Sequence, residues 1–349
     1  MNKKSKPKQG IVFVVLLILS MRLFGGMQAE APEHNTETQQ EEVQVDLQED
    51  AQTSQAEEKQ MGVSENDSAT TQNVSVVVSA NAVDDTISKL EVHFLDVGQG
   101  DATLIVNDEY TMLIDAGDDS KGTTIQNYLQ KQGIEKLNYL ILTHQHEDHI
   151  GGADVILTKF EIDTLIMTDD TMDTAAYRNV IDAMEYRNIQ NILPVVGAEY
   201  TLGDANFTII APIHNNYGDN INNRSIGLLL QHGENRFLFT GDAEADAEWD
   251  LLQSGMDLSC DVYQAGHHGS STSSTAAFME KVLPKYAVIS CADGNDYGQP
   301  HAEVLNTLRE NGVKLFRTDE QGTVVVISDG EQLTWNCAPS ETWKVGETN

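Results

Sequence analysis

The stretch LTHQHEDHIGG, residues 142–152, places three histidines, a glutamate and an aspartate within six positions, directly after the apolar run NYLIL. Imidazole nitrogens and carboxylate oxygens are the donor set of zinc and other divalent first-row metals. His144 and His146 stand two residues apart, and Asp148 and His149 follow at once. On a loop at a strand end, alternate side chains point the same way; on a helix, residues two apart diverge. Several ionisable groups at the end of a buried strand each need a partner in low dielectric. A cation supplies one partner for all of them.

The elements that must position this loop read as α/β. KLEVHFLDVG, ATLIVN and YTMLIDAG follow one another as strands, then TTIQNYLQKQGI reads as a helix closed by Gly133, and NYLILT as a buried strand. TLIMTD reads as a strand and TAAYRNVIDAMEYRN as an amphipathic helix. The second half repeats the grammar. Strands NFTIIAP, SIGLLLQHG and NRFLFTGD lead to a helix near residues 243–252 and the strand CDVYQAG. The helix TAAFMEKVLP, the strand YAVISC, the helix AEVLNTLRENG and the strand GTVVVISDG close the domain. Two mixed halves, each delivering polar residues from strand ends, predict two sheets packed face to face between outer helices. The domain is expected over residues 89–338, with a short C-terminal tail at 339–349.

The flanking composition is different. Residues 1–29 combine a basic start, MNKKSKPKQG, with the apolar run IVFVVLLILSM, the layout of an export signal or, if uncleaved, an N-terminal membrane anchor. Residues 30–88 hold 14 acidic side chains against Lys59 alone and no aromatic residue. They are too polar to bury a core and are expected to be a disordered linker. The whole chain carries 55 acidic and 21 basic residues, a formal net charge of −34. Without leader and linker, 41 acidic residues still face 15 basic ones. Such a surface repels polyanions at long range, so casual binding to nucleic acid or to an anionic membrane is not expected. Cys260, Cys291 and Cys337 are odd in number and widely spaced, which excludes a disulfide framework and a cysteine metal site.

The sequence THQHEDH resembles the signature of the metallo-β-lactamase superfamily, with Asp115 in LIDAG and Asp242 in LFTGD where that superfamily places its aspartates. More narrowly, HFLDVGQGDATLIV, GHHGSSTSS and NDYGQPHAEVL resemble the lactamase-like domain of the ComEC family of DNA-uptake proteins, over residues 91–328. The resemblance implies a four-layer αβ/βα sandwich and two divalent ions, Zn2+ or Mn2+. It places His144 and His146 on the first ion and Asp148 and His149 on the second. Asp242 would bridge them, and His267 would complete the second, with His268 and His301 as alternatives. Asp148 is placed to accept a hydrogen bond from the attacking water, and His268 or His301 to protonate the leaving group. Gln99 and Asp101 are candidates for the floor of the site, where Gly98 and Gly100 permit close backbone approach.

One position departs from many members of the superfamily. Where they supply a further histidine ahead of the strand leading to the bridging aspartate, this chain has Asn222 and Asn223. An amide oxygen is a harder and weaker donor, so the first position is expected to tolerate manganese more readily. His146, where aspartate is common in the narrower group, pulls the other way. His214 is the nearest spare histidine, though six or more residues out of place, whereas His93 and His232 sit inside strand patterns and are expected to be packed or surface residues rather than ligands. The reading is an exported metal-dependent hydrolase of a phosphodiester, with DNA as one such substrate. The alternatives are a hydrolase of lactones or other carboxylic esters and a non-catalytic metal- or ligand-binding surface module. A membrane would be touched only through residues 1–29.

Overall fold

The computed structural model describes residues 87–348, so the expected leader and nearly all of the expected linker lie outside the described residues. The described chain forms fifteen strands in two sheets. The first sheet contains β1 (Leu90–Phe94), β2 (Thr103–Asn107), β3 (Tyr110–Ile114), β4 (Lys136–Leu142), β5 (Glu161–Met167) and β6 (Asn191–Ile192). It is completed by β14 (Val324–Ser328) and β15 (Leu333–Trp335), in the order β15-β14-β1-β2-β3-β4-β5-β6. The second contains β7 (Glu199–Leu202), β8 (Ala205–Ala211), β9 (Gly227–His232), β10 (Asn235–Phe239), β11 (Val262–Gln264), β12 (Tyr286–Ile289) and β13 (Lys314–Arg317), ordered β13 to β7.

Each sheet joins an antiparallel meander to a parallel run. β1, β2 and β3 are antiparallel, and β3, β4, β5 and β6 are parallel. In the second sheet β7 to β10 are antiparallel, and β10, β11, β12 and β13 are parallel. The parallel runs take crossover helices, which cover the outer faces. These are α1 (Gly122–Lys131), α2 (Glu147–Ile150), α3 (Ala153–Lys159) and α4 (Ala175–Arg187) on the first half, and α5 (Ala245–Gln253), α6 (Ala276–Val282) and α7 (Ala302–Glu310) on the second, while α8 (Thr318–Gln321) links β13 to β14. The four-layer sandwich expected from sequence is the observed fold.

Period-two alternation sorts the core into three parts. In β4, Leu140 and Leu142 pack toward the helices of the first half while Ile141 faces the other sheet. β5 repeats this with Leu165 and Met167 outward and Ile166 inward. β10 does the same in the second sheet, with Leu238 toward the helices and Phe237 and Phe239 inward. Helix α4 shows why its sequence stops where it does. Thr174 caps it by accepting from the Tyr177 N–H, and Asn188 ends it in the left-handed region at φ 53°.

Seven elements were not legible in the pattern: α2, α3, α8, β6, β7, β13 and β15. The α3 segment ADVILTK is an apolar, partly β-branched run of seven residues, ambiguous between strand and helix. The others are two to four residues long, and the strands among them lie at sheet ends. The stretch after 338 is seated on the domain: Ser340 N–H donates to the Leu315 carbonyl, Gly346 N–H to the Pro300 carbonyl, and Arg317 to the Lys344 carbonyl.

Phe94 of β1 and Phe239 of β10 stack across the sheet interface at 6.3 Å, and Phe239 precedes the Asp242 turn by three residues. Phe94→Ala is expected to lower unfolding stability by about 3–5 kcal/mol, the cost of emptying an aromatic core site. Urea denaturation of the full chain measures it.

Candidate metal centre

Strand ends of both sheets meet along one edge, the place where open α/β sheets collect ligands. The loop after β4 carries His144 and His146, and the short helix α2 that follows carries Asp148 and His149; the turn after β10 carries Asp242; the turn Gly266–Gly269 after β11 carries His267 and His268. Asp115 follows β3 directly, and the loop after β1 contributes Gln99 and Asp101. The two sheets bring side chains more than a hundred residues apart onto one carboxylate, that of Asp242, which is buried at 2% exposure.

Around Asp242 the donor atoms fall into two groups. Asp148, His149, Asp242 and His268 form one, and His144, His146 and Asp242 the other, with the donor atoms of each group within 4.8 Å of one another. His149 Nε2 lies 3.2 Å and His268 Nε2 3.6 Å from Asp242 Oδ1, and His268 Nε2 lies 3.2 Å from Asp148 Oδ2. On the other oxygen, His144 Nε2 is 3.7 Å from Asp242 Oδ2 and 3.0 Å from His146 Nδ1.

The far ring nitrogens fix the tautomers. His149 Nδ1 donates to Asp115 Oδ2 at 2.8 Å, and His268 Nδ1 donates to the Ser290 carbonyl at 3.1 Å. His144 Nδ1 faces the oxygens of Thr143 at 3.2 Å and Ser225 at 3.3 Å, and the Thr143 hydroxyl proton is already given to Asp115. His149 and His268, when neutral, therefore each turn a bare Nε2 toward Asp242, and His144 Nε2 lies beside the same carboxylate. Neutral imidazoles oriented from behind in this way are the arrangement of metal-binding histidines. Asp115 is the keystone behind the loop, accepting from Thr143 N–H, the Thr143 hydroxyl and His149.

The backbone is strained where it serves these groups. Asp115, His267 and His268 have φ of 58°, 50° and 54°, a region costing non-glycine residues about 1–3 kcal/mol each. At Gly100, with φ 129°, a Cβ would stand 2.3 Å from the Asp148 carbonyl oxygen. That close approach lets Asp101 N–H donate to the same carbonyl and brace the loop.

A model of the metallo-β-lactamase superfamily matches residues 95–293. The chain belongs to that superfamily. It is 28% identical over 281 residues to ComE operon protein 3 of Bacillus subtilis, covering 75% of this chain and 36% of that one. It is 34% identical over 241 residues to Recombination protein 2 of Haemophilus influenzae, covering 68% and 28%. The chain thus spans about a third of the length of these curated relatives. Among solved structures it resembles the metallo-β-lactamase fold protein YhfI of Bacillus subtilis, at 12% identity and TM-score 0.47, over 71% of this chain and all of that one. Membership in this hydrolase superfamily implies divalent metal.

The residues fit such ions. His149 Nε2, Asp242 Oδ1 and His268 Nε2 are buried with no hydrogen-bond partner, so three polar atoms converge on one point that a cation alone would satisfy together. Burial works against charge on His149, yet Asp242, Asp115 and Asp148 outweigh it and raise its proton affinity well above the usual histidine range. His268 behaves alike: burial is outweighed, chiefly by Asp242 and Asp101. Burial is outweighed at Asp242 too, where His149 and His268 keep the carboxyl well below its usual range. A field that attracts protons so strongly attracts a divalent cation for the same reason.

The geometry corrects two expectations, those for His267 and His301, and sets the spare His214 aside. His268, not His267, sits with Asp148 and His149. His301 is not at the centre: its Nδ1 accepts from Ser271 N–H at 2.9 Å and its Nε2 donates to the Tyr297 carbonyl at 3.0 Å, so no ring N–H is left for a leaving group. His214 pairs with Asp250 at 2.9 Å and stacks on Tyr217, away from both donor groups. His93 and His232 are packed as expected, held by Tyr128 and Ser328. The two asparagines divide their work. Asn223 Oδ1 accepts from Glu244 and Ala247 N–H groups at the start of α5, while Asn222 lines the cleft with a buried, unpartnered Oδ1. Sequence reasoning missed Glu244, Thr143 and Ser225, whose polar side chains gave no spacing signal.

Asp115→Asn leaves one acceptor oxygen for three donors. It is expected to cost about 1–3 kcal/mol of stability and to weaken metal uptake by about 10–100-fold, read by denaturant melts and calorimetric titration. Asn223→Ala is expected to cost about 1–2 kcal/mol through the lost helix cap while leaving metal uptake unchanged.

Proposed function

We propose that the chain is an exported phosphodiesterase working with two divalent ions, Zn2+ or Mn2+. Asp148, His149, Asp242 and His268 would hold one ion, and His144, His146 and Asp242 the other. The observation that carries this reading is the convergence of unpartnered buried nitrogens and oxygen on Asp242 at the bottom of an open cleft. Bound there, the ions would supply Lewis acidity and a lowered pKa for water.

The chain's own groups do the rest. Asp148 is held ionised: burial opposes this, but His149 and His268 outweigh it and push its carboxyl below the usual range. With its side chain 31% exposed, it is the carboxylate of the centre that reaches into the cleft and can accept a hydrogen bond from the attacking water. The cleft, of ≈ 340 Å3, is walled by Gln99, Gln145, Asn222, Gln299 and Tyr297, which are polar and uncharged. Gln99 Nε2 donates to Gln299 Oε1 at 2.7 Å, and Gln299 Nε2 to the His267 carbonyl at 3.1 Å, so this wall is fixed before substrate arrives.

The cleft is not built for a long polyanion. Among the described residues that line it there is no lysine or arginine, and Glu147 and Asp148 add negative charge. A single phosphodiester offered by a small molecule or a cell-wall polymer suits it better than duplex DNA, whose affinity depends on many cationic contacts. A neutral lactone or ester is the second reading, favoured by the same amide-rich, cation-poor walls. Export rests on residues 1–29, which lie outside the described residues. Among the described residues no helix is long and apolar enough to cross a membrane.

The full chain is expected to hydrolyse bis-p-nitrophenyl phosphate with Mn2+ or Zn2+, to lose turnover in chelator and to regain it on metal return. His149→Ala is expected to abolish turnover with the fold largely intact by circular dichroism. Turnover on a lactone alone moves the assignment to esters, and none on any ester leaves a binding module. Cleavage of plasmid and single-stranded DNA at low and high salt separates a nuclease from a small-substrate enzyme.

A further inference from the structure

The GHHG turn sets two neighbouring histidines to an unusual task. On an extended chain adjacent side chains point to opposite faces. Here His267 and His268 both lie in the left-handed region, and their rings approach Asp242 one oxygen each. His268 Nε2 lies 3.6 Å from Oδ1, the oxygen nearest His149, and His267 Nε2 lies 3.6 Å from Oδ2, the oxygen facing His144. His267 is thereby on the His144 and His146 side of the carboxylate.

Its other nitrogen is held from behind. His267 Nδ1 is 3.0 Å from Thr272 Oγ1 and 3.3 Å from Glu244 Oε1. Glu244 is itself fixed, its Oε2 accepting from Asn220 Nδ2 at 2.8 Å and its Oε1 from Asn222 Nδ2 at 3.3 Å. A carboxylate behind one ring nitrogen, with the second nitrogen aimed at a donor cluster, orients a histidine for metal. Asn222, at the place where a superfamily histidine is missing, contributes its amide N–H to this same carboxylate.

We propose that His267 is the third nitrogen donor of the His144, His146 and Asp242 position, oriented by Glu244 and replacing the histidine absent at Asn222. The proposal rests on the two-ion reading above. It changes the chemistry of the pair. The first position becomes three imidazoles and one carboxylate oxygen, a zinc-type set. The second, with two imidazoles and two carboxylates, accepts manganese more readily. The two positions are therefore unequal, and zinc fills the His267 position first.

The test is a titration of the metal-stripped full chain with Zn2+ and with Co2+, followed by calorimetry and by the visible absorption of Co2+. The unsubstituted chain is expected to take two equivalents, the tighter one nitrogen-rich. His267→Gly, which keeps the positive φ without strain, is expected to weaken one equivalent at least tenfold and spare the other. Added to His146→Ala it should change nothing further; added to His268→Ala it should weaken the equivalent that remained. Glu244→Gln should weaken the same equivalent about 10–100-fold, and His301→Ala should leave both. If the glycine variant loses its native circular dichroism, His267→Asn, also tolerant of this backbone, takes its place. Two equivalents at unchanged affinity in the His267 variant, or loss of the equivalent that His268→Ala removes, overturns the proposal. Failure of the unsubstituted chain to bind two ions overturns the two-ion reading itself, and this proposal with it.

Discussion

The structure turns on one buried carboxylate. Asp242, at the end of β10, has imidazole nitrogens on both sides of it and almost no contact with solvent. An ion of that kind is tolerated in low dielectric only when its charge is answered. Two of the surrounding histidines, His149 and His268, have already committed their other nitrogen to a carboxylate and a carbonyl, so each, when neutral, presents a lone pair to a carboxylate. Lone pairs facing an anion are repulsive. Protons relieve that arrangement in part, and divalent cations relieve it fully, which is the physical reason to read the cluster as a metal centre.

The fold supplies the convergence. Neither half of the chain holds a complete set: the first brings His144, His146, Asp148 and His149, the second Asp242, His267 and His268. The halves are fastened by a shared inter-sheet core and by β14, which leaves the second half and pairs with β1. Behind the donors lies a support of Asp115, Thr143, Ser225 and Glu244, several of them buried and each spending hydrogen bonds on another residue of the site. Strain at Asp115, His267 and His268 is kept because that support and the core around it over-determine the backbone.

Much of this was legible in the sequence, for identifiable reasons. The apolar run before His144 and the crowded HQHEDH loop announce a strand end with a donor cluster, because burial and ionisable side chains conflict unless a cation reconciles them. Helix α4 was legible because Thr174 and Asn188 mark its ends, and the sheet halves because their alternation is regular. What sequence did not show is geometry within a turn. A reader of GHHG assumes an extended chain and sends the two rings apart; the left-handed backbone brings both to Asp242. His301 looked available because it follows a loop motif, yet its two nitrogens are spent holding the loops at Ser271 and Tyr297. Short elements such as β6 and β7 were invisible because their pairing is decided by neighbours rather than by their own pattern.

In the proposed two-ion centre, Asp242 would serve both cations. Electron paramagnetic resonance of the chain loaded with two equivalents of Mn2+ tests it most directly. A carboxylate shared by two ions is expected to give an exchange-coupled pair in the native chain and isolated Mn2+ signals in Asp242→Asn. Two uncoupled ions in the native chain, or coupling that survives the substitution, would contradict the account.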